Sequence, residues 1–238
     1  MVPSVRIIGP GRAGSAFAAA LSSAGWEIAG LLGRGDDTSG AAEGVDALVL
    51  ATPDGAIAGL AAGVRGVPST AVLHMAGALG PDVLAPHERR AVLHPLVPLP
   101  AGPAGAERLL SGVTFGVAGD PIAATIAGVL GGRAVEIRDE VRATYHAAAT
   151  VAANHVVATL GQVARLAEIA GLQLGDFLPL ARAALDDVAR QGPEAALTGP
   201  VARGDWGTVA CHLASLPADE HAGYLGGVAL ALRLTRGG

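Results

Sequence analysis

The hydrophobic positions of this 238-residue chain change rhythm once, near residue 138. Before that point short apolar runs alternate with stretches of helical spacing. Val5, Ile7 and Ile8 make the first run, and an alanine-rich helical stretch follows the turn after it. Trp26-Glu27-Ile28-Ala29-Gly30-Leu31-Leu32 reads as a second strand. A short connection from Asp36 to Val45 leads to Ala47-Leu48-Val49-Leu50-Ala51, the continuous apolar run expected of a buried parallel strand. Thr52-Pro53-Asp54 ends it, and Asp54 is placed to cap a helix through Ile57 and Leu60. Further strand-like runs lie at 70–74, 91–94, 113–117 and 134–137. Asp120-Pro121 opens a helix that runs to Leu130 and closes at Gly131-Gly132. This alternation predicts a mainly parallel sheet with helices on both faces.

After residue 138 the strand signals stop. Residues 139–170 read as one long helix ending at Gly171, and helical patterns follow at about 175–191, 205–215 and 219–235. The expected architecture is therefore an α/β domain over residues 1–138 and an all-α domain over residues 139–238. The long helix carries Ala, Val and Leu on several faces, more than one small domain can cover. A second copy of the chain would cover it, so a homodimer through the helical half is expected.

The connection after the first strand is the most informative segment. Gly9-Pro10-Gly11-Arg12-Ala13-Gly14 has the spacing G-x-G-x-x-G between a strand and a helix, the context that gives this motif meaning. Gly9 permits the tight turn, Gly11 lets a pyrophosphate approach the backbone, and Gly14 lets helix and strand pack closely. The free N–H groups at the helix start hold phosphate oxygens. The N-terminal domain thus reads as a Rossmann-type dinucleotide site, with Gly9, Gly11, Arg12, Ala13 and Gly14 in the turn and Ala51, Thr52 and Pro53 at the neighbouring strand end. An NAD site places a carboxylate at the end of the second strand. Here Arg34 stands there, with no carboxylate before Asp36. A guanidinium binds a 2′-phosphate that a carboxylate would repel, and Arg12 adds a second charge. The expected cofactor is NADP(H).

Composition narrows the remaining classes. The chain is 51% hydrophobic, yet polar residues interrupt each apolar stretch before it reaches membrane-spanning length. A secretory-type leader is not expected ahead of the first strand. A net charge of −5 without basic runs gives no basis for nucleic-acid binding. The single cysteine, Cys211, excludes an internal disulfide, and the scattered histidines lack metal-ligand spacing. A cytoplasmic protein without a metal, acting on a small molecule, is expected. All 16 basic residues are arginine. With no lysine in the chain, a catalytic ammonium is excluded, and a proton must come from another side chain or from water.

Three groups can do chemistry. His146, Thr150 and Asn154 follow one another at i, i+4 and i+8 among alanines and valines, on one face of a continuous α-helix. Asn154 can hold a substrate carbonyl or carboxylate, and His146 can donate a proton; the same stripe also arises if these groups only satisfy a domain seam or a dimer contact. His74 ends a predicted strand at the ligand edge of the sheet, and His94 ends another. Tyr145 and His155 lie off the stripe and read as packing residues. Thr198-Gly199-Pro200 makes a rigid turn beside Arg203 and Asp205. Arg203 can grip a substrate carboxylate, or simply pair with Asp205.

Several segments together resemble a family of Rossmann-like proteins with a C-terminal domain of unknown function, number 2520. They are G-P-G-R-A-G at 9–14, A-T-P-D at 51–54, H-M-A-G-A-L-G at 74–80, H-P-L at 94–96, F-G-V-A-G-D at 115–120, Y-H-A-A-A-T-V-A-A-N at 145–154 and A-L-T-G-P-V-A-R-G-D at 196–205. More distantly the chain is similar to pyrroline-5-carboxylate reductases and the 6-phosphogluconate dehydrogenase-like superfamily. The resemblance implies an NADP-binding domain followed by a helical dimerisation domain. Related hydroxyacid dehydrogenases carry K-x-x-x-N on the first helix after the nucleotide domain. Asn154 matches that asparagine, while Thr150 stands in place of the lysine.

The reading these features support is an NADPH-dependent reductase of a small keto or imino acid, with ketopantoate a family-level candidate. Asn154, Thr150, His146 and His74 are its candidate catalytic residues, and Thr198 and Arg203 its candidate substrate contacts. A deazaflavin-linked NADP reductase and a non-catalytic NADP(H)-binding regulator are the alternatives.

Overall fold

The computed structural model describes residues 2–235. It divides into two compact units, Met1–Thr150 and Val151–Gly238. The first is built on a seven-stranded sheet of β1 (Ser4–Ile8), β2 (Glu27–Leu32), β3 (Ala47–Leu50), β4 (Ala71–His74), β5 (Arg90–Pro95), β6 (Thr114–Gly119) and β7 (Arg133–Glu136). The order is β2-β1-β3-β4-β5-β6-β7. Strand order reverses between β1 and β3, which opens a crevice at their carboxyl ends.

Alternation within each strand sends side chains to two separate cores. On one face Val5, Ile7, Val49, Leu73, Leu93 and Phe115 pack beneath α1 (Arg12–Ser23), α3 (Pro103–Leu109) and α4 (Ile122–Val129). On the other, Ile8, Leu48, Leu50 and Val72 meet α2 (Asp54–Gly63) and a 3₁₀ turn at Pro81–Leu84. Burial on both faces is why these strands read as unbroken apolar runs.

One local expectation needs correction. Pro53, not Asp54, is the N-cap of α2; Asp54 is its first residue and makes no capping bond. β6 runs antiparallel to β5, with His94 opposite Gly116, whereas every other neighbouring pair is parallel. After β5 the chain turns through α3 and re-enters the sheet at the end it has just left, so Pro95 faces Phe115.

The division also falls later than residue 138. A helix α5 (Asp139–Thr150) belongs to the first unit. Arg142 is buried and ties it down: Nη2 donates to the Ile137 carbonyl at 2.8 Å, and Nε donates to Asp139 Oδ1 at 2.8 Å.

The second unit is helical throughout its described residues. A π-helical turn, Val151–His155, precedes α6 (Val156–Ile169) and α7 (Leu174–Gln191). Short helices α8 (Pro193–Ala196) and α9 (Gly199–Ala202) lead to α10 (Trp206–Ser215) and α11 (His221–Thr235). The long helix expected over 139–170 is thus interrupted at its centre. Among the described residues of this unit only Ala167, Val209 and Glu220 are buried, while Val157, Ile169, Leu180 and Leu230 are each at least 65% exposed. No described helix is long and apolar enough to cross a membrane.

Candidate functional site

The glycine turn lies at the crevice. Gly9 has φ +109°, and its N–H donates to the Leu32 carbonyl at 2.9 Å. A Cβ on Gly9 would meet the Ala51 carbonyl oxygen at 2.5 Å, and one on Gly14 would meet the Gly9 carbonyl oxygen at 1.9 Å. These two glycines are demanded by the protein's own packing. Gly11 is different: a Cβ there would meet nothing within 4 Å. It is exposed, caps α1 and leaves open space in front of the helix start.

The rim of the crevice carries the other expected cofactor residues. Ala51 continues the β3 ladder, its N–H donating to the Ile8 carbonyl at 2.8 Å. Ala13 packs against the core. Pro53 is exposed, and so are Arg12 and Arg34, whose guanidinium groups make no ion pair with a described residue. Asp36 is held in the turn itself, accepting from the Gly33 N–H at 2.7 Å. Thr52 Oγ1 is buried yet has no hydrogen-bond partner among the described residues. A buried hydroxyl without a partner is costly, so this atom suits a polar ligand at the strand end. Open space at Gly11, an orphan hydroxyl at Thr52 and two free arginines fit a phosphorylated dinucleotide.

A second cluster lies at the ends of β4 and β5. His74 is fully buried and used by its own loop. The Ala76 N–H donates to Nδ1 at 3.2 Å, which leaves the Nε2 proton to donate to the Gly80 carbonyl at 3.1 Å. Burial, ahead of every other influence, lowers its pKa. With both nitrogens engaged, His74 has no free group for a ligand. Its ring thereby ties the 74–80 loop together.

Two more imidazoles, one from β5 and one from α5, lie against that loop. His94 and His146 approach edge to face with ring centroids 5.9 Å apart. A Cβ on Gly77 would meet His146 Cδ2 and His94 Cε1, each at 2.7 Å, so the loop backbone is the floor on which both rings rest. Tyr145, expected only to pack, is hydrogen-bonded through its hydroxyl to His94 Nδ1 at 2.7 Å. Its seat comes from the sheet register. Gly116 faces His94 across β5 and β6, and a Cβ on Gly116 would lie 2.2 Å from the Tyr145 hydroxyl. Burial pushes the phenol up, against the pull of Arg142 and the Gly116 N–H. Burial first, then the neighbouring His146, brings His94 down to about 4. Both partners are therefore neutral near pH 7.

The remaining expected residues lie elsewhere. Thr150 is the last residue of α5, one helical turn beyond His146. Asn154 is exposed and sits within the π turn of the second unit, so the constant α-helical step that put it on one face with His146 does not reach it. Thr198 and Arg203 are exposed at the two ends of α9. Asp205 does not pair with Arg203 but caps α10, accepting from the Thr208 N–H at 3.1 Å and its hydroxyl at 2.7 Å. The second unit also has a concavity of about 730 Å³. Its polar groups are mainly bonded to one another: Arg165 with Glu220, Gln162 with the Glu220 carbonyl, and His212 with Tyr224. No group of three described His, Cys, Asp or Glu residues is placed to hold a metal.

Residues 112–226 match the family described as Domain of unknown function (DUF2520). No curated protein matches the chain in sequence. Among solved structures it is similar to a Bacteroides fragilis protein provisionally described as an NADP oxidoreductase, at 20% identity and TM-score 0.77 over 99% of this chain and 98% of that one. Protein TM1727 of Thermotoga maritima follows at 22% identity and TM-score 0.74, over 98% of each chain. Pyrroline carboxylate reductase of Plasmodium falciparum, solved with NADP bound, has 12% identity and TM-score 0.63 over 98% of each. At these identities the likeness establishes the fold: a Rossmann-like sheet domain followed by a helical region.

Proposed function

From a chain that carries a DUF2520 domain behind a Rossmann-like sheet, we propose an NADP(H)-dependent oxidoreductase that reduces a small keto or imino acid. The observation that carries this reading is the contrast within the glycine turn: Gly9 and Gly14 are fixed by internal contacts, whereas Gly11 faces open space, and Thr52, which lies against Gly9, has a buried hydroxyl with no partner among the described residues. The names of the structural neighbours, an NADP oxidoreductase and a reductase holding NADP, agree with it.

In this reading the backbone N–H groups that follow Gly11 hold the pyrophosphate, and Thr52 bonds the cofactor at the end of β3. Arg34, with Arg12, holds the 2′-phosphate. When bound, NADPH supplies hydride to the substrate's electrophilic carbon. In the first unit Thr150 and His146, on one helix, are the candidate contacts to a substrate's polar group; in the second, Asn154 is the candidate to orient such a group and Arg203 with Thr198 to receive a carboxylate. Ketopantoate and cyclic imino acids are the substrates to try first. We further propose that the working form is a homodimer, because the helical unit buries so little of its own apolar surface.

Calorimetric titration with NADPH and NADH, followed by NADPH oxidation with ketopantoate, other 2-oxo acids and pyrroline carboxylates, tests the reading. Submicromolar to micromolar NADPH binding with turnover of at least one of these acids is expected. Equal affinity for both cofactors overturns the NADP assignment, and binding without turnover of any acid overturns the reductase.

A further inference from the structure

We propose that His94 is the catalytic proton donor of this site, that it donates from Nε2, and that Tyr145 is the positioning residue that fixes this tautomer and replaces the proton. The inference rests on the reductase reading above. It starts from geometry. The Tyr145 hydroxyl lies 2.7 Å from His94 Nδ1, in a seat that exists only because residue 116 has no side chain. A glycine inside a strand weakens the sheet and commonly marks the close approach of another group. Here the approaching group is a phenol, brought from α5 to the strand that flanks His94.

The tautomer follows from the partners. Among the described residues His94 Nδ1 is the one hydrogen-bond partner of the Tyr145 hydroxyl, so the phenolic proton is satisfied only by donating to it. Nδ1 then accepts, and the ring proton of a neutral His94 must be on Nε2. The burial that keeps His94 unprotonated near neutral pH makes the donor an imidazole rather than an imidazolium. Enzymes use neutral histidine in this way to polarise a carbonyl. His74, by contrast, has both nitrogens occupied.

The protons balance as follows. As the substrate carbon gains hydride, the electron pair of its C=O or C=N bond moves to the heteroatom. That atom takes the proton from His94 Nε2. The Nδ1 lone pair takes the phenolic proton of Tyr145, so His94 ends neutral in the other tautomer. Water then returns a proton to Nε2 while the Nδ1 proton goes back to the phenolate, and the pair resets. The reductant is the nicotinamide cofactor; no further oxidant or reductant enters.

Nitrogen-15 NMR of histidine-labelled protein without cofactor reads the tautomer directly. The expected result is an Nε2–H tautomer for His94 at pH 7, and a mixed or Nδ1–H tautomer in Tyr145→Phe. The kinetic counterpart is NADPH oxidation with a 2-oxo acid or pyrroline carboxylate that the wild type accepts. Tyr145→Phe should lower kcat about 10- to 100-fold and His94→Gln about 100-fold or more, with NADPH affinity unchanged in both. A His94 that carries its proton on Nδ1 in the wild type overturns the proposal, whatever the variants do. So does a Tyr145→Phe enzyme with wild-type kcat. If the wild type turns over none of these acids, the reductase reading falls and takes the donor role with it; turnover that survives both substitutions overturns the donor role alone.

Discussion

The carbonyl oxygen of Gly9 lies 1.9 Å from the point where a Cβ on Gly14 would stand. The turn and the first helix are in backbone contact, with no room for one carbon between them. Gly14→Ala is therefore expected to destabilise the sheet unit by ~1–3 kcal/mol or more, since backbone yields less readily than a side chain. Gly11→Ala should leave stability within about 0.5 kcal/mol of wild type or raise it slightly, because its Cβ meets nothing and its φ of −69° is open to any residue. Yet it should weaken NADPH binding at least about tenfold if a pyrophosphate fills that space. Urea unfolding and calorimetric titration of the two variants check this. Equal stability losses would show that Gly11 is held by the fold.

Arg34 ends the second strand's turn without an ion-pair partner among the described residues. Arg34→Ala should cost NADPH about 10- to 100-fold in affinity, the worth of a charged hydrogen bond, while NADH binding stays as it was. An equal loss for both cofactors would mean that Arg34 does not meet the 2′-phosphate.

Gly116 and Tyr145 should couple. Alone, Gly116→Ala places a methyl group 2.2 Å from the phenol oxygen and should cost ~1–3 kcal/mol. In a Tyr145→Ala background most of that cost should disappear, leaving a coupling of about 1 kcal/mol or more. Ile137 Cγ1, at 3.1 Å, accounts for any residue of it. Additive losses in the double-mutant cycle would refute the contact.

Stability should fall on mild acidification. His94 is held down to about 4 by burial first, then by His146, with Arg142 and His74 adding and Asp54 opposing. His74 is lowered as well, again chiefly by burial. In the unfolded chain both titrate near ~6.5. Between the two values the unfolded chain binds protons that the folded one refuses, so stability is lost as pH falls from about 6.5 toward about 4. Urea midpoints at pH 7 and pH 5 measure the loss, and His94→Gln should make it shallower. A wild-type midpoint that is flat over this range would contradict the burial of both rings.

The helical unit should not be found alone. Only Ala167, Val209 and Glu220 are buried among its described residues. Light scattering of the full chain at micromolar concentration is expected to give twice the monomer mass, and a Leu180→Glu, Leu185→Glu double variant should shift it toward one. A monomeric wild type would refute the dimer.

The sheet was legible because its strands are buried on both faces, which makes them continuous apolar runs bounded by turn residues. The glycine turn was legible because its requirements are local. The antiparallel β6 was not, since a strand's direction leaves no trace in its composition. Tyr145 was misread for a related reason: it lies off the stripe of His146 and Thr150, and its partners His94 and Gly116 are distant in sequence. A signal existed in the glycine within Phe115-Gly116-Val117, an odd residue for a buried strand. His74 was correctly placed at the sheet's edge, but only the loop geometry shows that Ala76 and Gly80 occupy it. Nothing in Val151-Ala152-Ala153-Asn154-His155 announces a π turn, for it holds neither glycine nor proline.

Position 116 also bears on how this protein can be engineered or can drift. A search for heat tolerance would choose it early, since replacing a mid-strand glycine with a β-branched residue is among the commonest ways to firm a sheet. In this chain that gain and the phenol compete for the same volume. A lineage or a design that took valine there would have to give up Tyr145 at the same step, and the histidine behind it would lose the hydrogen bond at Nδ1. The empty space beside a backbone is thus a requirement in its own right, encoded as the absence of an atom.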